Sequence, residues 1–99
     1  MKESQIERKL FERIKEIGGL CWKFTSPGTT GVPDRIIVLP MGHIAFVETK
    51  STGDMERPQQ KFRHQQLRRL GCRVFSTVDS YEKVDEVIRW AKEAMGYQV

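Results

Sequence analysis

Asp34, Glu48 and Lys50 are the residues of this chain whose types and spacing can do chemistry together. The runs Asp34 to Leu39 and His43 to Lys50 are rich in Ile, Val, Phe and Ala, and Pro40-Met41-Gly42 between them reads as a hairpin turn. With three residues in the turn, Leu39 faces His43, and counting outward pairs Val38 with Ile44, Ile36 with Phe46 and Asp34 with Glu48. Opposed residues carry Cβ atoms about 4.5–5.5 Å apart, and Lys50 follows Glu48 on the same face at about 6.6 Å. Two carboxylates and an ammonium therefore converge on one end of a sheet. A two-residue turn would reverse the parity and send Glu48 to the opposite face.

Adjacent carboxylates repel unless one takes a proton or a cation sits between them, and hard divalent cations choose oxygen ligands. Mg²⁺, or Mn²⁺ in its place, held by Asp34 and Glu48 would keep several waters, deliver one to phosphorus and offset negative charge on a phosphate. Lys50 would hold or activate that water, or stabilise the charge that develops in the transition state. Such a set suffices for phosphodiester hydrolysis. The plainer reading is a cross-strand ion pair between Lys50 and either acid.

The elements that must position these groups follow from periodicity and turn chemistry. Ser4-Gln5-Ile6-Glu7 has the form of a capping box, and Ile6, Leu10, Ile14 and Ile17 continue a helical stripe until Gly18-Gly19. Leu20 to Phe24 reads as a short strand, and Ser26 to Pro33 is dense in turn formers. After a polar connector, Ser51 to Arg57, a helix is expected from about Pro58 to Leu70 with Gly71 as its stop, then a strand from Cys72 to Thr77. Asp79-Ser80-Tyr81-Glu82 opens a last helix whose apolar stripe is Val84, Val87, Ile88, Ala91 and Met95. The order is αβββαβα, and a strand, helix and strand in succession imply a parallel pair within a mixed sheet flanked by helices. Apolar residues on both faces of the hairpin predict that both faces are covered. Trp22, Phe24, Phe75 and Trp90 are expected in the core, and the isolated His43 and His64 on the surface.

With 99 residues the chain is one domain, 1–99, and with 38% hydrophobic and 30% charged residues it suits a globular protein. Its longest apolar runs are four residues, Ile36 to Leu39 and Ile44 to Val47, where a membrane span needs roughly 20. The charged opening residues lack the apolar stretch of a secretory signal, and Cys21 and Cys72 read as reduced, buried thiols, so a cytoplasmic setting is expected. The net charge of +4 is unevenly spread: Arg57, Lys61, Arg63, Arg68, Arg69 and Arg73 give the segment between them +6 and leave the remainder at −2. That local field suits a polyanion, although a solvated helix face would look the same. No zinc-finger, helix-turn-helix or RNA-recognition signature accompanies it, which favours recognition of nucleic-acid shape over sequence.

Gly31-Val32-Pro33-Asp34, thirteen residues, then Glu48-Thr49-Lys50 resembles the signature of the PD-(D/E)XK nucleases. A first helix bearing Glu7, the segments Gly31-Val32-Pro33-Asp34-Arg35 and Phe46-Val47-Glu48-Thr49-Lys50-Ser51, and Pro58-Gln59-Gln60 ahead of a helix ending in Leu70-Gly71 are similar specifically to the VRR-NUC family. The resemblance runs from about Glu7 to Ser76. It implies a restriction-endonuclease-like αβββαβ core with an extra C-terminal helix, and a divalent-metal-dependent DNA endonuclease. By resemblance Asp34, Glu48 and the backbone carbonyl of Thr49 would hold the metal, and Lys50 would be the catalytic lysine. Glu7 matches the acid of the family's first helix, and its place beside the apolar stripe lets it point toward the sheet; its plainer role is that of a capping glutamate. Gln60 matches the family's glutamine, with Gln59 beside it as the alternative.

Arg57, Lys61, Arg63, Arg68 and Arg69 would track the phosphate backbone, and Arg35 and Lys23 would either reach a phosphate near the site or face solvent. Stand-alone relatives are expected to be homodimers that cut branched DNA such as four-way (Holliday) junctions, since two symmetric cuts need two sites related by a two-fold axis. The tail Gly96-Tyr97-Gln98-Val99 is a candidate part of the interface. Two other readings stay open: a non-catalytic, structure-specific DNA-binding module whose acid cluster is structural, and a protein–protein adaptor, which leaves the basic helix without a polyanion.

Overall fold

The order of stripes and turns is realised in the computed structural model, which describes residues 1–97. Gln98 and Val99, half of the tail expected at an interface, lie outside the described residues. The elements are α1 Glu3–Glu16, β1 Leu20–Lys23, β2 Arg35–Val38, β3 Ile44–Thr49, α2 Pro58–Arg69, β4 Arg73–Val78 and α3 Tyr81–Ala94, with a 3₁₀ turn at Pro40–Gly42. The sheet order is β1-β2-β3-β4, antiparallel between β1 and β2 and between β2 and β3, and parallel between β3 and β4.

The hairpin has the three-residue turn that the chemistry needs. Leu39 N–H donates to the His43 carbonyl at 2.8 Å, and Val38 pairs with Ile44 and Ile36 with Phe46. Continued by one step beyond Arg35 and Val47, this register sets Asp34 opposite Glu48. Asp34 lies just outside β2, and its carbonyl accepts the Phe24 N–H at 2.8 Å. The register between β3 and β4 slips by one residue, with Val47 beside Phe75 but Thr49 beside Val78, so the extra residue lies on β4, between Phe75 and Val78 and opposite Glu48. Such bulges re-aim side chains at the ends of strands.

The two faces of the sheet differ. Ile37, Leu39, Ala45 and Val47, with Cys21 and Val78, pack against Ile6, Leu10 and Ile14 of α1 and Val84, Val87, Ile88 and Ala91 of α3. Each fully buried Ile or Val contributes about 1.5–3 kcal/mol. The opposite face was expected to be covered, and it is covered only in part. Leu20, Trp22 and Ile44 are about half exposed there, while Ile36, Val38 and Phe46 are half buried. The reason is α2, whose sequence PQQKFRHQQLRR has no continuous apolar stripe and which packs along β4 instead of across the sheet. Trp22 therefore sits at the surface instead of in the core. Phe24 stacks obliquely on Phe46 at 5.5 Å, and Phe75 meets Trp90 edge-on at 5.7 Å.

Three further details depart from expectation. Helix α1 begins at Glu3, so Ser4 lies inside its first turn, and the helix end is closed by Gln5, whose Oε1 accepts the Lys2 N–H at 2.8 Å. Cys72 is half buried, whereas Cys21 is buried, and both thiols are free. His64 is fully buried. At α3 the expected cap forms, Ser80 Oγ accepting the Lys83 N–H at 3.2 Å. No helix among the described residues is long and apolar enough to cross a membrane.

The loop that delivers Asp34 is fastened to the start of α2. Gly31 has φ +85, and a Cβ there would stand 2.6 Å from the Gln59 carbonyl oxygen. Arg63 Nε donates to the Thr30 carbonyl at 2.9 Å across the same seam. Gly28 has nearly the same φ, +82, but nothing within 4 Å. Gly31→Ala should therefore lower the melting temperature by several degrees more than Gly28→Ala, which carries only the backbone strain of about 1 kcal/mol. Equal losses would show that the approach to α2 is not a constraint.

Candidate active site

Thr49 organises the acids. Its N–H donates to Asp34 Oδ1 at 2.9 Å and its hydroxyl to Asp34 Oδ2 at 2.6 Å, so one residue of β3 holds both oxygens of the loop aspartate. The same Oγ lies 3.3 Å from Glu7 Oε1, bringing α1 to the sheet end. Glu7 Oε2 takes an ion pair from Arg35 Nη2 at 2.9 Å. Arg35, expected at a phosphate, is thus tied to the acid cluster.

Glu48 and Lys50 flank Thr49 in the chain, Glu48 on β3 and Lys50 just beyond its end. Both are buried, and the Lys50 ammonium lies 4.0 Å from Glu48 Oε2. Lys50 Nζ donates to Gln60 Oε1 at 3.0 Å. That oxygen also accepts the Arg57 N–H at 2.9 Å, so Gln60 closes the start of α2 and holds the lysine with the two lone pairs of one carbonyl. Gln60 is the glutamine that meets Lys50; Gln59 lies against Gly31.

The electrostatics are those of crowded, poorly hydrated acids. Burial, and then repulsion from Asp34, pushes the Glu48 carboxyl up to about 7 despite nearby Lys50. Asp34 is also raised, by burial and by Glu7, although both Thr49 bonds pull it down. Glu3, which the sequence reading did not single out, is raised by burial, by its hydrogen bond with Glu7 and by Asp34. Carboxylate oxygens of Glu3, Glu7 and Asp34 lie within 4.8 Å of one another. Four acids thus face two cations, Arg35 and Lys50, an excess of two negative charges once all four acids are ionised. Glu48 Oε1 is buried without a hydrogen-bond partner. An orphaned carboxylate oxygen beside a knot of acids fits a hard divalent cation, with Glu7, Asp34 and Glu48 as the residues to hold it.

The basic residues divide. Arg63 is spent on the Thr30 carbonyl and Gln66 Oε1, and Arg68 donates to the Val74 carbonyl at 3.0 Å. Arg57, Lys61 and Arg69 are exposed, and none of them enters an ion pair among the described residues. His64, expected at the surface, is fully enclosed, with Nδ1 2.5 Å from Glu56 Oε2. Burial holds its pKa below the ordinary value against the raising effect of Glu56. The signal for both missed residues was helical spacing: Glu3 precedes Glu7 by four, and His64 follows Gln60 by four.

This fold has relatives. A solved structure described as "VRR_NUC domain" superposes with a TM-score of 0.82 and 33% identity, covering 90% of this chain and 97% of that one. "Putative nuclease p44" of Acyrthosiphon pisum secondary endosymbiont phage 1 is 45% identical over 74 residues, 75% of this chain and 80% of the relative. The chain belongs to the VRR-NUC family. No family model matches it. As a VRR-NUC chain it has the mixed, helix-flanked sheet expected of the family, with helix α3 added after β4.

Two outcomes follow from the geometry. A carboxyl raised to about 7 in the folded state carries a proton that the unfolded chain has already lost, so metal-free stability falls as pH rises from about 4.5 to about 7. Glu48→Gln should flatten that fall, by up to about 3 kcal/mol, in urea unfolding with chelator present. Parallel wild-type and variant curves would contradict a buried, protonated Glu48. Thr49→Val removes the hydroxyl bond to Asp34 while filling the same space, and should cost about 1–2 kcal/mol in the same assay; an unchanged midpoint would mean the clamp carries no energy.

Proposed function

We propose that this protein is a divalent-metal-dependent endonuclease that hydrolyses DNA phosphodiester bonds and acts on branched DNA as a homodimer. The observation that carries the reading is a buried lysine held by Gln60 and near Glu48, at the end of the sheet where Glu3, Glu7 and Asp34 crowd together. Membership of the VRR-NUC family, and a relative named as a nuclease, support it. Glu7, Asp34, Glu48 and the Thr49 carbonyl are the proposed holders of Mg²⁺, with Mn²⁺ as its substitute.

A cation held by these residues would supply Lewis-acid polarisation of the phosphate and a more acidic water. Thr49 keeps both Asp34 oxygens in one orientation, so the acid does not need to reorganise when the site loads. Lys50 is assigned as the catalytic lysine: with one proton held by Gln60, it would offer another to the attacking water or to a phosphate oxygen. Burial makes that point charge worth more than it would be in water. Arg57, Lys61 and Arg69 supply exposed charge for the phosphate backbone, with Arg63, Arg68 and Arg35 contributing local positive field beside it.

The homodimer is supported by the half-exposed apolar residues Leu20, Trp22 and Ile44 on the uncovered sheet face. A two-fold axis there would relate two sites, as symmetric incision of a four-way junction requires. Free Cys21 and Cys72 suit a reducing, cytoplasmic setting. One observation favours a second reading, a non-catalytic DNA-binding module: Arg35 and Lys50 already stand beside Glu7 and Glu48 as ion-pair partners.

Wild type and Lys50→Ala, incubated with labelled four-way junction, flap, single-stranded and duplex DNA in Mg²⁺, Mn²⁺ or chelator, separate the two. The expected result is metal-dependent cleavage by the wild type, reduced about 100-fold or more in the variant with DNA binding retained, and paired symmetric nicks in the junction. Binding should weaken steeply with salt. Salt-sensitive binding without cleavage of any substrate would establish the binding module instead.

A further inference from the structure

Glu3 lies one helical turn before Glu7 on α1, outside the motif that carries the family resemblance. Like charges at this spacing work against a helix, and a third acid, Asp34, joins them within 4.8 Å. Among the described residues Glu3 enters no ion pair: Arg35 is taken by Glu7, and Lys50 lies between Gln60 and Glu48. A second, independent feature stands against the same cluster. Glu48, 6% exposed, has an Oε1 without a partner and feels the repulsion of both Asp34 and Glu3. Three acids gathered this closely from a helix and a loop, with the unbonded Glu48 oxygen on the adjoining strand, have the hardness and charge that a divalent cation takes.

We propose that Glu3 is a metal ligand, completing with Glu7 and Asp34 a three-carboxylate seat for a divalent cation. The proposal rests on the metal-dependent reading above and extends it to α1. Oxygens from Glu3, Glu7 and Asp34 would occupy one side of the ion and leave the other to water or a phosphate, since Mg²⁺ and Mn²⁺ retain several exchangeable positions. Arg35 keeps the second oxygen of Glu7 oriented, so Glu7 offers the other to the seat.

The test is Mn²⁺ binding without DNA, by calorimetry, to the wild type, Glu3→Gln, Glu3→Asp, Asp34→Asn and Glu12→Gln, with circular dichroism to confirm the fold. Glu12 is an exposed acid of the same helix and controls for charge alone. The expected result is at least a tenfold loss of affinity in Glu3→Gln, a loss in Glu3→Asp because the charge is kept while the reach shortens, and wild-type affinity in Glu12→Gln. Glu3→Gln binding like Glu12→Gln, or Glu3→Asp binding like the wild type, would remove Glu3 as a ligand. If Asp34→Asn alone loses the ion, the metal-dependent reading survives and this proposal fails. If the wild type binds no Mn²⁺, both fail.

Discussion

Repulsion among carboxylates at one end of a sheet is the constraint on which the rest of this structure depends. Glu3, Glu7, Asp34 and Glu48 arrive from a helix, a loop and a strand, and burial together with neighbouring acids raises the carboxyls of Glu3, Asp34 and Glu48. What keeps them together is a small number of directed contacts: Thr49 on both oxygens of Asp34, Arg35 on Glu7, and Lys50 near Glu48. Buried like charges are tolerated where something supplies opposite charge, and two protein cations against four acids supply only part of it. The remaining deficit sets the cluster apart from a balanced internal salt bridge.

The scaffold meets this constraint by dividing its labour between the two faces of the sheet. The α1–α3 face holds a continuous aliphatic core of Ile, Leu, Val and Ala, and that core makes the strands rigid. The other face gives up coverage. Helix α2 brings Gln60 to Lys50, His64 to Glu56 and Gln59 to Gly31, and its polar surface leaves half the sheet open. A more apolar α2 would cover Leu20 and Trp22 but could not present exposed Arg57, Lys61 and Arg69 along the same flank. The price of a basic, glutamine-rich helix is an apolar sheet face that needs another partner.

Gln60 links local and tertiary structure most directly. As the third residue of α2 it accepts the Arg57 N–H, a requirement of helix ends that any capping glutamine would meet. The same oxygen receives the Lys50 ammonium, so the helix start and Lys50 are positioned by one atom. Gly31 performs the matching task for Asp34, because only a residue without a side chain lets the loop pass the Gln59 carbonyl. Family membership is consistent with this economy: the conspicuous short segments around Gly31, Asp34, Glu48 and Gln60 are those that touch one another.

By itself the sequence determined the element order, the hairpin register that opposes Asp34 to Glu48, the α1 and α3 core stripes and the basic character of α2. These are set by interactions within a few residues or by period-two and period-3.6 alternation, so they can be read along the chain. It also narrowed the glutamine to two neighbours. The tertiary structure alone decided which of them meets Lys50, that Thr49 clamps Asp34, that Glu3 joins Glu7, and that Arg35 is drawn inward. It likewise buried His64 and exposed Trp22, because burial depends on which face the polar α2 covers, and no local pattern states that. Contacts between residues distant in sequence arise from how packed elements meet in space, and charge, burial and hydrogen bonding at this site are all properties of that meeting.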